Sequence, residues 1–351
     1  MFSPDLMAAI GRTPLVRLRL PSPPGVSAYA KLEMQNLFAM KDRVAKQIIL
    51  DARVTGVLRP GAPIVESSSG TMALGVAMVG TFLDHPVHIV TDPRIDRITL
   101  AKLEALGCDV HVVPTMSEQG WQGARLKRLA ELMAAMPSAF WPQQYANPQN
   151  PASYRALATE LLEDLGTVDV LVGAVGSGGS LCGSTRALRE VCPDVRAIAV
   201  DCAGSVLFGQ PDRPARLQSG LGNSIVPRNL DCTLLDEVHW LNDREAFEGT
   251  VDLAREQKIF AGNTSGSVYR VLRHLAAVSK PGTQLVGIFP DRGDRYADTV
   301  YDRAYRRQPA LESLPVAPSP VDITSGTTVN SWSRLDLKRQ REKSDVVSGV
   351  R

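Results

Sequence analysis

Residues 168–191 read VDVLVGAVGSGGSLCGSTRALREV. The apolar run Val168 to Val175 predicts a buried strand, and the stretch through Thr185 to Val191 predicts a helix. Between them lies Gly176-Ser177-Gly178-Gly179-Ser180. Glycines let the backbone turn tightly, so successive N–H groups converge, and a helix N-terminus behind them completes an anion site suited to phosphate. The hydroxyls of Ser177 and Ser180 add donors. The dinucleotide fingerprint GxGxxG is broken, because Leu181 stands at the third glycine and Gly183 comes too late; GK[ST] is also missing. The loop therefore predicts a phosphorylated ligand other than NAD or ATP. A plain structural turn is the competing local reading.

On either side, short apolar runs alternate with amphipathic stretches. Ile64-Val65, Val87–Val90, Val110–Val113, Val168–Val172, Ala197–Val200 and Leu285–Phe289 read as strands. Val44 to Thr55, Arg97 to Leu106, Gln122 to Ala135, Ser153 to Leu165 and Glu245 to Gln257 read as helices. This alternation predicts an α/β architecture of parallel-rich twisted sheets flanked by helices, with chemistry in the loops after the strands. A chain of 351 residues is long enough for about two domains. The series breaks near Pro137 to Pro151, which predicts two lobes with a cleft between them. From about Gln308 onward, Pro309, Pro315, Pro318 and Pro320 interrupt a polar stretch, predicting a flexible tail. The basic cluster Lys338-Arg339-Gln340-Arg341 reads as part of that solvated tail, or as a contact for an acidic partner.

Three further loops stand out. Glu66-Ser67-Ser68-Ser69-Gly70-Thr71-Met72 follows a strand and opens a helix, an arrangement suited to an α-carboxylate or to ordinary N-capping. Lys41 follows the apolar lead-in Asn36-Leu37-Phe38-Ala39-Met40, where a lysine loses its proton more readily; taken alone, a lone lysine is usually a surface residue. Gly262-Asn263-Thr264-Ser265-Gly266-Ser267 again places hydroxyls ahead of a helix.

The composition narrows the function classes. Lys and Arg number 39 against 37 Asp and Glu, a balance that favours neither nucleic acid nor an acidic membrane as partner. Five cysteines, odd in number and without paired CxxC spacing, predict reduced thiols rather than a disulfide scaffold or a zinc ribbon. No apolar run reaches the roughly 20 residues of a membrane helix, and Met1 to Ile10 lacks a basic lead, so a cytoplasmic protein is expected. The five histidines, His85, His88, His111, His239 and His274, are scattered outside the four loops and read as satisfied surface or strand-end residues. Neither metal ligation nor general-base work by any of them is expected, and no metal is expected in the chemistry.

The four loops, in this order, resemble the cysteine synthase branch of the fold type II pyridoxal-phosphate (PLP) enzymes, over about residues 8 to 305. Ile10 to Leu18 resembles that family's opening IGNTPLVRL. Lys41-Asp42-Arg43 matches the KDR carrying the Schiff-base lysine, and Gly176 to Ser180 matches the GTGGT phosphate cradle. Thr264 falls where the family places the hydroxyl facing the pyridine nitrogen. Ser68-Ser69-Gly70-Thr71-Met72 matches the substrate carboxylate loop TSGNT, and Gln144 matches a glutamine that helps bind that carboxylate. Two departures are notable. Thr71 stands where the family has an Asn on the cofactor's 3'-oxygen, and the lead-in to Lys41 is more apolar than NPSGSVKDR, which implies an altered substrate.

Phe140 to Asn147, Val200 to Gly209 and Phe289 to Tyr296 resemble N-(2-amino-2-carboxyethyl)-L-glutamate synthases. These supply 2,3-diaminopropionate for siderophores and peptide antibiotics. S-sulfocysteine synthases, which share the threonine in the carboxylate loop, are a weaker match. The resemblance implies a smaller mobile domain over 36–140, a larger cofactor domain over 1–35 and 141–307, a tail over 308–351, and a homodimer. It implies β-replacement on O-phosphoserine or O-acetylserine, with L-glutamate as the amine nucleophile. Arg216 and the glycine-rich stretch around Gly220 are candidates to receive that diacid; Arg216 reads equally as a leaving-phosphate contact or a surface ion pair. Sulfide or thiosulfate as nucleophile, and a catalytically silent binding or regulatory member, are the competing readings. NAD-dependent reduction is disfavoured by the broken fingerprint.

Overall fold

The computed structural model describes residues 2–118 and 120–348. Among the described residues the strands are β1 (Leu15–Arg17), β2 (Ser27–Lys31), β3 (Ile64–Ser67), β4 (Val87–Thr91), β5 (Asp109–Val112), β6 (Val170–Ala174), β7 (Arg196–Cys202), β8 (Glu237–Leu241), β9 (Gln284–Ile288), β10 (Val321–Asp322) and β11 (Ser333–Asp336). They form two sheets. The larger runs β1-β2-β9-β6-β7-β8-β11-β10 and the smaller β3-β4-β5. Pairing is parallel from β2 through β8 and throughout the small sheet. Only β1 on β2 and β11 on β8 run antiparallel. The chain is thus α/β, with parallel-rich sheets flanked by helices. No described helix is long and apolar enough to cross a membrane.

The central strands read as continuous apolar runs because helices cover both faces. VLVGA of β6 and RAIAVDC of β7 are almost wholly buried, and each fully buried Val, Leu or Ile stabilises the fold by roughly 1.5–3 kcal/mol. The small sheet is faced by Thr71–Phe82, a helix buried along most of its length. Gly75 lets that helix approach the start of Lys41–Val54, since a Cβ there would lie 3.0 Å from the Lys41 carbonyl oxygen. One missing side chain therefore sets the depth at which the Lys41 backbone sits.

The stretch expected as a flexible tail is folded as far as it is described, and residues 349–351 lie outside the described residues. β10 and β11 complete the large sheet, while Leu311, Val329, Trp332 and Leu335 are buried. The polar composition misled because these few apolar residues dock on β8 and on the helix Asn263–Val278, which supply the rest of the core. Arg341 donates to the Cys232 and Leu235 carbonyls, so part of the basic cluster is used within the chain. The helix expected through Gln257 ends at Asp252 and passes into a π-helical turn over Leu253–Gln257.

Candidate active site

Lys41 opens the helix Lys41–Val54, and its two neighbours fix it there. The carboxylate of Asp42 turns back to accept from the N–H groups of Phe38 (2.7 Å) and Ala39 (3.2 Å), closing the lead-in loop. Arg43 is gripped by two carboxylates. Its Nε and Nη2 donate to Glu33 at 2.7 and 2.8 Å, and its Nη1 and Nη2 donate to Glu160 at 2.7 and 2.8 Å. The Met40 N–H reaches the Pro290 carbonyl at 2.9 Å, joining the loop to the end of β9. With both neighbours held, Lys41 extends over the buried Tyr154 ring, its Nζ 5.9 Å from the ring centre. Burial pushes its ammonium down to about 8. Its Nζ lies 3.4 Å from Ser177 Oγ, 136 residues away in the chain.

Ser177 belongs to the glycine loop, which follows β6 as expected. The helix behind it is Gly179–Arg189, with left-handed Gly178 (φ 80°) at its N-cap and no side chain capping it. The Gly179 N–H donates weakly to Ser177 Oγ at 3.4 Å, and the other N–H groups of the first turn face a ligand position. Side chains are excluded here. A Cβ on Gly178 would lie 2.6 Å from Leu230 Cα, and one on Gly176 would lie 3.1 Å from the Gly220 carbonyl oxygen. Gly220 (φ 84°) is itself pressed against Thr264, whose Oγ1 a Cβ would meet at 2.8 Å. Thr264 is buried at the start of the helix Asn263–Val278 and donates its hydroxyl to the Ser219 carbonyl at 3.0 Å. Nearby Asn150 Oδ1, Asn263 Oδ1 and Ser265 Oγ are buried without partners. A side-chain-free cradle, an uncapped helix start, the Ser177 and Ser180 hydroxyls and a facing low-pKa amine fit a phosphorylated aldehyde such as PLP.

The loop Ser68 to Met72 follows β3 and leads into the helix packed on the one that Lys41 opens. Ser68 Oγ accepts from the Gly70 N–H at 3.1 Å, and Thr71 is the first residue of the helix Thr71–Phe82. Met72 was expected to touch substrate, but its side chain packs into the main core at 2% exposure, which leaves only its backbone for a ligand. Two guanidinium groups flank Ser69. Arg125 Nη1 donates to its hydroxyl at 3.0 Å, and Arg295 Nη2 reaches its carbonyl at 3.5 Å.

Gln144 is buried and its carbonyl accepts from Asn150 (2.6 Å) and Asn229 (3.0 Å). Arg216 is not a free cation at the mouth. Its guanidinium is spent on Asp212, on the Gly204 and Arg213 carbonyls and on Ser224, so it braces the loop that carries Gly220.

Sequence reading missed Asn150, whose Nδ2 donates to Ser177 Oγ at 3.1 Å, as well as Tyr154, Arg125 and Arg295. No local motif marks them; only the position of Asn150 six residues after Gln144 was a signal. The histidines are not all scattered either, since the register of β4 and β5 brings His88 and His111 to a 3.2 Å contact.

Comparison with known proteins agrees with this geometry. The profile of the family described as "Pyridoxal-phosphate dependent enzyme" matches residues 6–291. The chain is 36% identical over 330 residues to an N-(2-amino-2-carboxyethyl)-L-glutamate synthase from Cupriavidus metallidurans, covering 90% of this chain and 96% of that one. It is 37% identical over 307 residues to the protein of that name from Ralstonia nicotianae, covering 86% and 90%. Among solved structures, it is similar to an O-acetylserine dependent cystathionine beta-synthase from Helicobacter pylori. The TM-score is 0.78 at 31% identity, covering 85% of this chain and 98% of that one.

Proposed function

The chain belongs to the pyridoxal-phosphate dependent enzymes, and we propose that it is a β-replacing synthase that joins an O-activated L-serine to the amine of L-glutamate. The product would be N-(2-amino-2-carboxyethyl)-L-glutamate, as the names of its two bacterial relatives state of those proteins. The observation that carries the reading is Lys41, held at 3.4 Å from Ser177 with its pKa brought down to about 8.

When bound, PLP supplies an electron sink for charge that develops on the substrate's α-carbon. Lys41 would hold it, the Gly176 to Ser180 loop would take its phosphate, and Thr264 would offer a neutral hydroxyl to its ring. The Lys41 amine, released as substrate arrives, is placed to take the α-proton and to return one after the new C–N bond has formed. Ser68, Ser69, Thr71 and the N–H groups opening Thr71–Phe82 would orient the α-carboxylate, with Gln144 beside them. Phosphate or acetate leaves the β-carbon with the bonding pair, and the glutamate nitrogen takes its place.

Glutamate brings an extra carboxylate, and Arg125 and Arg295 flank Ser69 where it would lie. Both are already paired, Arg125 with Asp92 at 3.4 Å and Arg295 with Asp96 at 2.8 Å and Asp291 at 3.5 Å, so the diacid would have to share them with those carboxylates. Sulfide needs neither. Movement of the 36–140 lobe over the cleft would exclude water. A homodimer and a cytoplasmic location belong to the same reading; sedimentation at twice the chain mass checks the first.

One competition experiment tests the reading. The holoenzyme is incubated with O-phosphoserine or O-acetylserine and with glutamate, sulfide and thiosulfate together, and products are identified by mass. A dominant C–N product is expected. Exclusive cysteine or S-sulfocysteine would keep β-replacement and discard the nucleophile, whereas no product and no spectral change would mark a silent member.

A further inference from the structure

At the opposite end of the small sheet, β4 and β5 run parallel with His88 opposite Asp109 and Val90 opposite His111. Asp109 and His111 are two residues apart and so share a face, and His88 projects from that same face. Three donor atoms meet there. His88 Nδ1 lies 3.2 Å from His111 Nε2 and 3.2 Å from Asp109 Oδ2, and His111 Nε2 lies 3.4 Å from Asp109 Oδ2. Four-coordinate zinc holds nitrogen and oxygen ligands at about 2.0–2.1 Å, which at a tetrahedral angle places them about 3.3–3.4 Å from one another. The observed triangle has nearly the dimensions of one face of that tetrahedron.

We propose that His88, Asp109 and His111 form a binding site for a divalent transition-metal cation of the zinc type, separate from the catalytic cleft. Two imidazoles and one carboxylate are the ligand types such ions prefer over calcium or magnesium. The rings are 18% exposed and Asp109 is 63% exposed, so an ion can enter and water can complete the fourth position. The facing cation, Arg128 on the helix Gly120–Ala135, is partly neutralised by Glu131 at 3.0 Å. The site has a structural task. β5 ends the sheet, and its four residues are only half-buried or exposed, so packing holds it weakly. A metal bound by one ligand from β4 and two from β5 would staple that edge. The active-site loop Ser68 to Met72 leaves the other, C-terminal end of the parallel strands, so the metal takes no part in the chemistry.

Holoenzyme stripped with a chelator and desalted is titrated with Zn2+ alone by calorimetry, and with Co2+ alone by visible absorbance. Wild type is compared with His88→Gln, His111→Gln and Asp109→Asn. One equivalent of Zn2+ and a tetrahedral Co2+ band are expected, with affinity weakened by roughly tenfold or more in each variant. Zn2+ should raise the thermal midpoint of wild type by a few degrees and leave that of the variants unmoved. Asp109→Asn changes a largely exposed side chain, and unaltered turnover shows that the variants are folded. Absence of stoichiometric binding by wild type, or equal affinity in the His88→Gln/His111→Gln double variant, would overturn the site.

Discussion

The indole Nε1 of Trp332 donates to Nδ1 of His239 across 3.0 Å, with both side chains buried. That bond fixes the tautomer, leaving His239 Nε2 to donate to Glu237 Oε1 at 2.6 Å. The Trp332 main-chain N–H donates to Glu245 at 2.9 Å, and Glu245 also takes the Ala317 N–H at 2.9 Å while closing the capping box of the helix Asp243–Asp252. Residues beyond 308 are thus stitched to β8 and to the helix that follows it.

Truncation after Gln308 should therefore be costly, although composition alone marked these residues as a flexible tail. It removes β10 and β11 and uncovers Val238 and Trp240 along β8. Trp332→Ala alone is expected to cost about 3–5 kcal/mol. Urea titration of the full-length variant and thermal unfolding of the truncation check this; unchanged midpoints would return the segment to a passive role.

Lys41→Ala is expected to lose the visible absorbance of the lysine-bound cofactor and to lower turnover by about a thousandfold or more. Because burial brings the Lys41 amine down to about 8, the rate at which apo-protein captures added PLP should climb with pH and level off above about 8. Stopped-flow absorbance measures it. A rate independent of pH between 6 and 9 would show that the lysine is not the titrating nucleophile.

The glycine loop was legible because its signal is local: an apolar strand, five small residues and a helix lie side by side in the chain. The same holds for Lys41, whose neighbours Asp42 and Arg43 fasten it. Strand β2 escaped because it ends on Lys31, a residue that looks solvated. In the fold it is buried, pairing with Glu160 at 2.7 Å and donating to the Thr13 carbonyl at 2.6 Å. β11 escaped for a related reason, since a four-residue strand, SRLD, lies between β8 and the two-residue edge β10, draws its burial from β8 and carries no apolar alternation in its sequence. Arg295 and Asn150 reach the site from 226 and 27 residues away, and of the readings open for Arg216 the ion pair is the one the fold builds, with Asp212 inside its own loop.

Gly178→Ala should disable the phosphate cradle. The residue has φ 80°, and its Cβ would meet backbone of Leu230 and Asn229 at 2.6–2.9 Å, atoms that cannot step aside as a side chain end can. Strain of about 1–3 kcal/mol is expected, with PLP affinity lowered tenfold or more as the loop shifts. Gly166→Ala provides the control, because Gly166 has a similar φ of 75° but nothing within 4 Å of its Cβ. Titrating both apo-proteins with PLP separates clash from strain. Equal affinities would mean that the cradle tolerates a side chain.

The pH dependence of stability follows from carboxyls buried beside the cleft. Glu66 is pushed up to about 7 by burial, with one oxygen accepting from the Ser67 N–H at 2.8 Å and Trp141 Nε1 at 3.4 Å, and the other without a partner. Asp42 and Asp201 are raised to about 7 for the same reason. A carboxyl whose folded pKa lies above its unfolded value contributes stability that is full below about 4 and is lost as pH rises through about 7. Glu160 acts in the opposite sense. Burial would raise it, but Arg43 and Lys31 pull it down to about 2, so its contribution is present above about 4.5 and fades as pH falls toward 2. Stability should therefore peak near pH 5 and decline from 6 to 8. Glu66→Gln copies the protonated carboxyl and cannot release its proton, so the decline over that interval should shrink by about 1 kcal/mol. Urea midpoints at pH 5, 6, 7 and 8 for both proteins measure the difference, and parallel curves would show that Glu66 is already ionised in the folded chain at pH 6.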